Sequence, residues 1–417
     1  MKLPKGSGKD NSINEAAIPA RVKKGSFFTT TLPLFMIAHF GHHLMTALPA
    51  VLLPFIRDDR VLTPSGMSNS QVAWVTTAFS LAHGLGQLPG GWLADRIGRR
   101  LMIGIGIFGV ALVGILVGLS STYMMLLLLL VVMGIVGGGY HPAATPWISA
   151  SAGEKNQGRA IGFHFVGGGS GFFVAPFIGA AIAAAWGWHM SFVVLAAPCA
   201  AFGLVFFFLL NRRKEASGSQ AAFNPHQATA GAAQDRWTPL ITLIVLSLIT
   251  SSLSSVMIFF SLYLVDEYNV AKQTAVFVMA ISAFAGIWAG PLGGWISDRI
   301  GRVQIMVGSS IIAGLIIFCV RYLGYGPSLF ALLFVSGINM NIFAPVSEAF
   351  IMTNTSARHR SLIYGIYYLS SNGGALFAPL MGFLIDQTSY QTAFMVSGAA
   401  SIGTAVVCGA ILLRSRK

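Results

Sequence analysis

Apolar runs of about 20 residues recur along the chain, near 29–56, 70–94, 101–119, 122–149, 159–183, 190–210, 239–265, 272–296, 303–322, 328–353, 361–384 and 390–412. About 20 such residues coiled as a helix cross the hydrocarbon core of a bilayer. The pattern therefore predicts twelve membrane-spanning helices. Polar residues gather between and beyond them. Residues 211–238, "NRRKEASGSQAAFNPHQATAGAAQDRWT", are rich in Ala, Gly, Ser and Gln and read as a flexible linker. The expected organisation is a tail at 1–28, a six-helix bundle at 29–210, the linker at 211–238, a second six-helix bundle at 239–412 and a short tail at 413–417. The expected fold class is all-α integral membrane, with two pseudo-symmetric bundles.

Composition strengthens this reading. The chain is 55% hydrophobic and 9% charged, with a mean hydropathy of +0.72, which excludes an ordinary soluble protein. The net charge of +13 could point to nucleic acid, but its distribution does not. If the N-terminus is cytoplasmic, the inner segments hold 22 Lys and Arg and the outer segments four: Arg57, Arg60, Lys272 and Arg321. That bias predicts both termini in the cytoplasm and a plasma (inner) membrane protein touching anionic lipid. No basic run is interleaved with exposed aromatics, so no nucleic-acid partner is expected. The three cysteines show neither a disulfide framework nor a metal-binding spacing. The first apolar run is too long for a signal peptide and lacks a cleavage site, so it is expected to stay as an anchor.

The halves repeat one another. "GGWLADRIGRR" at 90–100 returns as "GGWISDRIGRV" at 293–303, an offset of 203. The same offset relates "GFFVAPFIG" (171–179) to "GALFAPLMG" (374–382), and Pro142 to Pro345. Three landmarks at one spacing indicate a duplicated bundle. In the repeated loop, Gly91 and Gly98, with partners Gly294 and Gly301, permit a sharp turn and close helix approach. Asp95 and Asp298, with Arg96, Arg99, Arg299 and Arg302 nearby, supply an anion that can meet an arginine or a helix N-terminus as the halves come together on the inner face. Such contacts form a latch. Gly171, Pro176 and Gly179, with Gly374, Pro379 and Gly382, mark a hinge in the fifth and eleventh helices.

The G-x-L-A-D-R-x-G-R-R loop between the second and third helices, copied in the second half, resembles the hallmark loop of the major facilitator superfamily. The resemblance covers the whole chain. It implies alternating access by rocking of two bundles, with helices 1, 4, 7 and 10 around a central cavity. "GFFVAPFIG" resembles the G-x-x-x-G-P-x-x-G-G motif of antiporters in that superfamily, departing from it at Ala175 and at Gly179–Ala180. "HFGHH" in helix 1 and "YHP" in helix 4 resemble the fosmidomycin-resistance branch of exporters. The arginine that many proton-coupled exporters carry in helix 4 is missing from "VVMGIVGGGYHPAAT".

An ionisable side chain at membrane depth costs about 2.5–3.5 kcal/mol on insertion scales, so each one asks for a reason. The first half has His39, His42, His43, His83, His141 and His164, and the second has Glu348. His39 and His43 share a helical face that Thr46 continues. His141 follows three glycines and precedes Pro142, where helix 4 can bend. Glu348 shares a face with Asn341 and Pro345 and corresponds to Thr145 through the offset, so this charge belongs to one half only. Proton coupling is the functional expectation for Glu348, His39, His43 and His141, with Tyr140 and Asn341 beside them. His39 and His43 have ligand spacing, but no acidic third ligand lies nearby and HExxH is absent, so no metal site is expected. Aromatic residues such as Tyr140 and Trp147 suit an amphipathic or weakly polar organic cargo.

These features predict a monomeric secondary transporter, a proton-coupled exporter of small organic molecules, with an uptake symporter for a metabolite or organic acid as the alternative. No phosphate-binding loop or nucleophile–base arrangement is present. An enzyme is not expected, and no cofactor beyond an ion gradient.

Overall fold

The computed structural model describes residues 27–152, 156–212, 236–355 and 360–414. Much of the predicted tails and linker lies outside these, as do some side chains within the helices, including those of Gly294 and Asp298. Among the described residues the chain forms twelve long helices, a short one at Leu53–Arg57 and no strand. The twelve are α1 (Phe27–Val51), α2 (Asn69–Ile97), α3 (Arg99–Gly118), α4 (Tyr123–Ala152), α5 (Gln157–Trp186) and α6 (Trp188–Asn211) in the first half. The second half holds α7 (Trp237–Tyr268), α8 (Lys272–Ile300), α9 (Arg302–Cys319), α10 (Pro327–Asn354), α11 (360–387) and α12 (Tyr390–Arg414).

Local chemistry sets the helix ends. Ser68 opens α2 with a reciprocal capping box to Gln71. The Thr122 side chain caps α4. Gly98 and Gly301 divide α2 from α3 and α8 from α9 at φ of 96° and 108°, a left-handed conformation that side chains resist. The repeated loop thus folds into the same one-residue corner twice, as its glycines predict.

Counted over the described residues alone, nine of the helices are long and apolar enough to cross a membrane by length and composition. α8 and α11 contain undescribed residues, so that count leaves the twelve of the run pattern standing. In the bundle α2 packs along α11, and α8 along α5.

The core shows how the halves meet. One cluster of buried side chains joins both halves, running from Leu44, Leu48 and Phe192 to Phe259, Tyr263 and Phe394. Toward the face that carries Phe27 and Arg414 it divides. There one cluster belongs wholly to the first half, around Phe35, Tyr140 and Trp147. Another belongs wholly to the second, around Leu243, Val346 and Tyr367. Among the described residues, buried apolar packing therefore joins the bundles at the face opposite the termini and stays within each half at the terminal face.

Four helices depart from regularity, α1 at its start, where Phe27–Thr31 form a π-helical turn. α3 carries a π-helical turn at Ile105–Gly109. α4 is interrupted at Gly139, one turn from the predicted weak spot. α11 consists of Arg360–Gly373, a 3-10 turn at Gly374–Leu376 and Phe377–Gln387. Its motif partner α5 runs unbroken through Pro176. Of the two helices expected to carry a hinge, α11 is interrupted and α5 is continuous.

The difference lies in the partners. Ser251 donates to the Ser370 carbonyl at 3.1 Å, Ser255 to Gly374 at 2.9 Å and Thr77 of the other half to Ala375 at 2.8 Å. These hydroxyls satisfy carbonyls in and beside the break. In α5 the motif serves packing, since a Cβ on Gly171 would stand 3.0 Å from the Leu44 nitrogen of α1.

Candidate functional site

The first half brings together all six histidines predicted within the membrane. His39, His42 and His43 come from α1, His83 from α2, His141 from α4 and His164 from α5. The His39 ring stacks on His164 at 3.9 Å and lies 4.5 Å from His43 and 5.0 Å from His141. His43 and His141 are 5.5 Å apart. His42 stacks on Tyr140 at 4.8 Å and lies 6.1 Å from His83. The break at Gly139 turns Tyr140 and His141 into this group.

Hydrogen bonds set the tautomers. His39 Nδ1 donates to the His164 carbonyl at 2.7 Å, and His42 Nδ1 donates to the Gly106 carbonyl in the π turn of α3 at 2.9 Å. Carbonyls only accept, so each Nδ1 carries the proton and each Nε2 presents a lone pair. His43 Nδ1 lies 3.3 Å from the Thr46 hydroxyl. His39 Nε2, His42 Nε2, His83 Nδ1 and the Tyr140 hydroxyl are buried with no hydrogen-bond partner among the described residues. A buried polar atom left unpaired costs about 1–3 kcal/mol, so such a concentration marks a place built for something polar.

The second half holds different chemistry. A cavity of about 120 Å³ between α7, α9, α10 and α11 is lined by Ser247, Thr250, Ser251, Ser309, Ser336 and Asn339 among others. Asn339 and Ser309 exchange hydrogen bonds at 3.0 Å. Further along α10, Asn341 is exposed and donates to the Gly337 carbonyl at 2.9 Å. Glu348 is half-buried, as is Pro345, on their predicted common face. Arg302 of α9 donates to the carbonyl of the next residue, Ala349, at 2.8 Å and to Thr353 at 3.0 Å. Glu348 and the histidines therefore stand in different halves.

The gate loops repeat in detail. Arg96 lies over the Trp92 ring at 4.1 Å and Arg299 over Trp295 at 4.0 Å, a paired cation–π contact that the loop's charges alone do not announce. Asp95 pairs with Arg99 at 3.2 Å within its own loop. Arg302, expected in the latch, is bound to α10 of its own half. These contacts each lie within one half. Gly91 packs toward Pro142 of α4.

Polar links between the halves gather at the opposite face, in a clasp that residue-by-residue reading leaves as loop charges. Arg57 donates to both oxygens of Asp266, at 2.5 and 2.8 Å. Tyr390 donates to Asp266 at 2.6 Å, and Lys272 pairs with Asp58 at 2.5 Å. Asp386, at the end of α11, accepts from the backbone nitrogens of Asn69 and Ser70 at 2.9 and 3.1 Å, so one half caps a helix of the other. Gly382 and Pro379 sit in the short segment that delivers Asp386. The available signal was that Arg57 and Lys272, two of the four cations expected on the outer side, each belong to an apolar run's edge close to an acid or its partner loop.

Burial works against the Asp58 charge, but the Lys272 hydrogen bond and the nearby Arg57 overcome it and hold the carboxyl below its ordinary value. A lowered folded-state value means the contribution is present above the ordinary carboxylate range and is lost only as pH falls through the lowered value. The Asp58–Lys272 contact is therefore expected to be unchanged between about pH 5 and pH 8. Distances between spin labels across this face, measured through that range, check it.

Comparison with known proteins agrees with this architecture. Residues 26–255 and 242–417 match the sequence pattern of the Major Facilitator Superfamily. The multidrug resistance protein MdtG of Escherichia coli K12/DH10B is 22% identical over 329 residues, covering 78% of this chain and 80% of that protein. MdtG of Salmonella arizonae is likewise 22% identical, covering 78% and 81%. Among solved structures, peptide transporter POT in complex with sulfate superposes with a TM-score of 0.77 at 15% identity, covering 92% of this chain and 94% of that one. A bacterial homologue of the human lysosomal transporter Spinster, inward-facing and occupied, gives 0.71 at 18%, covering 94% and 97%. At these identities the solved structures speak for the fold. With the duplicated bundles, the twin glycine corners and a family match over nearly its whole length, the chain belongs to the major facilitator superfamily: a multi-pass membrane protein and a secondary transporter of small molecules, not an enzyme.

Proposed function

We propose that this transporter exports small organic molecules in exchange for protons, with Glu348 carrying the proton. The carrying observation is the placement of Glu348: half-buried, within α10, and lacking an acidic counterpart in the other half. An ionisable side chain within a membrane helix asks for a functional reason, and a carboxyl that takes up a proton on one side and gives it back on the other supplies one. The MdtG relatives, named for multidrug resistance, support organic cargo and an outward direction. The excess of Lys and Arg on the terminal side supports a cytoplasmic terminal face. The described state then opens to the cytoplasm and waits for cargo. One chain suffices, because the duplicated bundles supply both walls of the path, and an ion gradient supplies the drive.

The test uses inside-out and right-side-out vesicles, a fluorescent amphipathic dye and an imposed pH gradient. Gradient-driven dye accumulation in inside-out vesicles is the expected result, and Glu348→Gln is expected to abolish the gradient response while retaining dye binding. Gradient-insensitive transport by the unaltered protein, or an undiminished response in Glu348→Gln, would remove the coupling role. Accumulation only in right-side-out vesicles would make the same machine an uptake symporter.

A further inference from the structure

The apolar core of a transporter half has no structural need for six imidazoles, and aromatic packing would be served better by phenylalanine. What distinguishes three of them is where their nitrogens converge. One ring nitrogen each from His39, His43 and His141 falls within 4.8 Å of the other two. His39 is buried, while His43 and His141 are half-exposed. The group is thus anchored at one edge and open at the other.

We propose that His39, His43 and His141 form a binding site for a divalent first-row transition-metal ion of the zinc class, with a fourth position left open. Three observations carry the assignment. The donor set is three imidazoles, a combination that suits zinc and its neighbours, and carboxylates are not required for it. The orientation of His39 is the one metal-bound histidines show, its Nδ1–H given to a backbone carbonyl, His164 O at 2.7 Å, so that Nε2 is aimed with its lone pair free. That same Nε2 is buried and has no hydrogen-bond partner among the described residues, so the protein desolvates a ligand atom and supplies it with nothing.

The spacing allows closure. Nitrogens on a tetrahedral zinc ion at about 2.0–2.1 Å stand nearer one another than the donors do here, so the rings must draw in slightly. His43 is held at its other nitrogen only by a long 3.3 Å contact to Thr46. His141 sits just beyond the break at Gly139, where α4 is interrupted and its register can adjust. Sequence spacing offers His39 and His43 as a pair and no acidic third ligand. The third ligand comes from another helix, a hundred residues along the chain, and only the fold supplies it.

The experiment uses the full-length protein in detergent with any affinity tag removed and metal stripped by a chelator. Cobalt(II) alone is titrated in, because a four- or five-coordinate cobalt site has intense visible bands that the hydrated ion lacks. One cobalt per chain, intense bands and displacement by zinc are the expected results. Each of His39→Gln, His43→Gln and His141→Gln is expected to weaken binding at least about tenfold. His189→Gln, which alters a histidine beside Asp59 at the opposite face, is expected to change nothing. Should His39→Gln fail to fold, the half-exposed His141 still decides the question, as does a zinc-dependent rise in the melting temperature of the unaltered protein. Absence of intense bands and of any melting shift in the unaltered protein overturns the site. So do bands that survive unchanged in His43→Gln and His141→Gln.

Discussion

Asp266→Ala is expected to release the clasp and shift the protein about 30-fold toward states open at the face opposite the termini. The aspartate accepts three hydrogen bonds from the other residues of the clasp, two from Arg57 and one from Tyr390. Two of these cross from one half to the other. The Arg57 side chain is 15% exposed and that of Asp266 33%, so the removal leaves a largely desolvated guanidinium with its 3.2 Å contact to Asp58, and solvent screens part of the loss. Charge-assisted bonds in such a setting are each worth about 1.5–3 kcal/mol, and discounting for exposure leaves about 2 kcal/mol for the pair of residues. That converts to the 30-fold shift. Spin labels at Val61 and Tyr322, both exposed, report the separation of the halves on that face. A distance distribution unchanged by Asp266→Ala would mean the apolar cluster beneath holds the face shut unaided. Asp266→Asn keeps an acceptor for Tyr390 and should fall between.

Gly138→Val is expected to destabilise the first half by about 3 kcal/mol, near the upper end for overpacking. α2 and α4 cross backbone to backbone. A Cβ at Gly138 would stand 2.5 Å from the His83 carbonyl oxygen and 3.0 Å from the Gln87 nitrogen. Gly134 meets the Phe79 carbonyl oxygen at 2.5 Å in the same way, and from the facing side Gly86 and Gly90 approach Ile135 and Gly139 at 2.9 Å. Here the obstacle is main chain, which has no rotamer to escape into. In lipid, tight packing of small residues is a main source of helix association. Gly403→Ala, in α12 with open space around it, is the control and is expected to leave stability equal or slightly raised. Thermal unfolding in detergent separates the two, and equal melting temperatures would show that α2 can retreat at no loss.

Much of this fold was legible in the chain because its determinants are local. Apolar run length located twelve helices, and the 203-residue offset revealed the duplication. Gly98 and Gly301 announced their corners because a left-handed turn is a property of one residue. What stayed hidden depends on partners from elsewhere. His39 and His43 read as a pair, while His141, His164 and His83 arrive on three other helices. Asp266 and Asp386 read as loop charges until Arg57 and Asn69 meet them from the other half. The symmetric motif in α5 and α11 predicted a symmetric hinge, but Ser251, Ser255 and Thr77 stand beside α11, and only there does the helix break.

The Thr77–Ala375 bond reaches further than its 2.8 Å length. It is a stitch between halves, and its acceptor is a backbone carbonyl next to a gap in a helix. When the opposite face opens, Thr77 withdraws and that oxygen is left bare at depth. Without cargo, two remedies exist there: water follows it in, or α11 rewinds and the carbonyl finds an amide of its own helix. Either remedy ties the wetting of the path to the pitch of one helix. The rocking of two rigid bodies then carries with it a small coil-and-uncoil step, and cargo that supplies its own donor to Ala375 would travel with the helix still unwound.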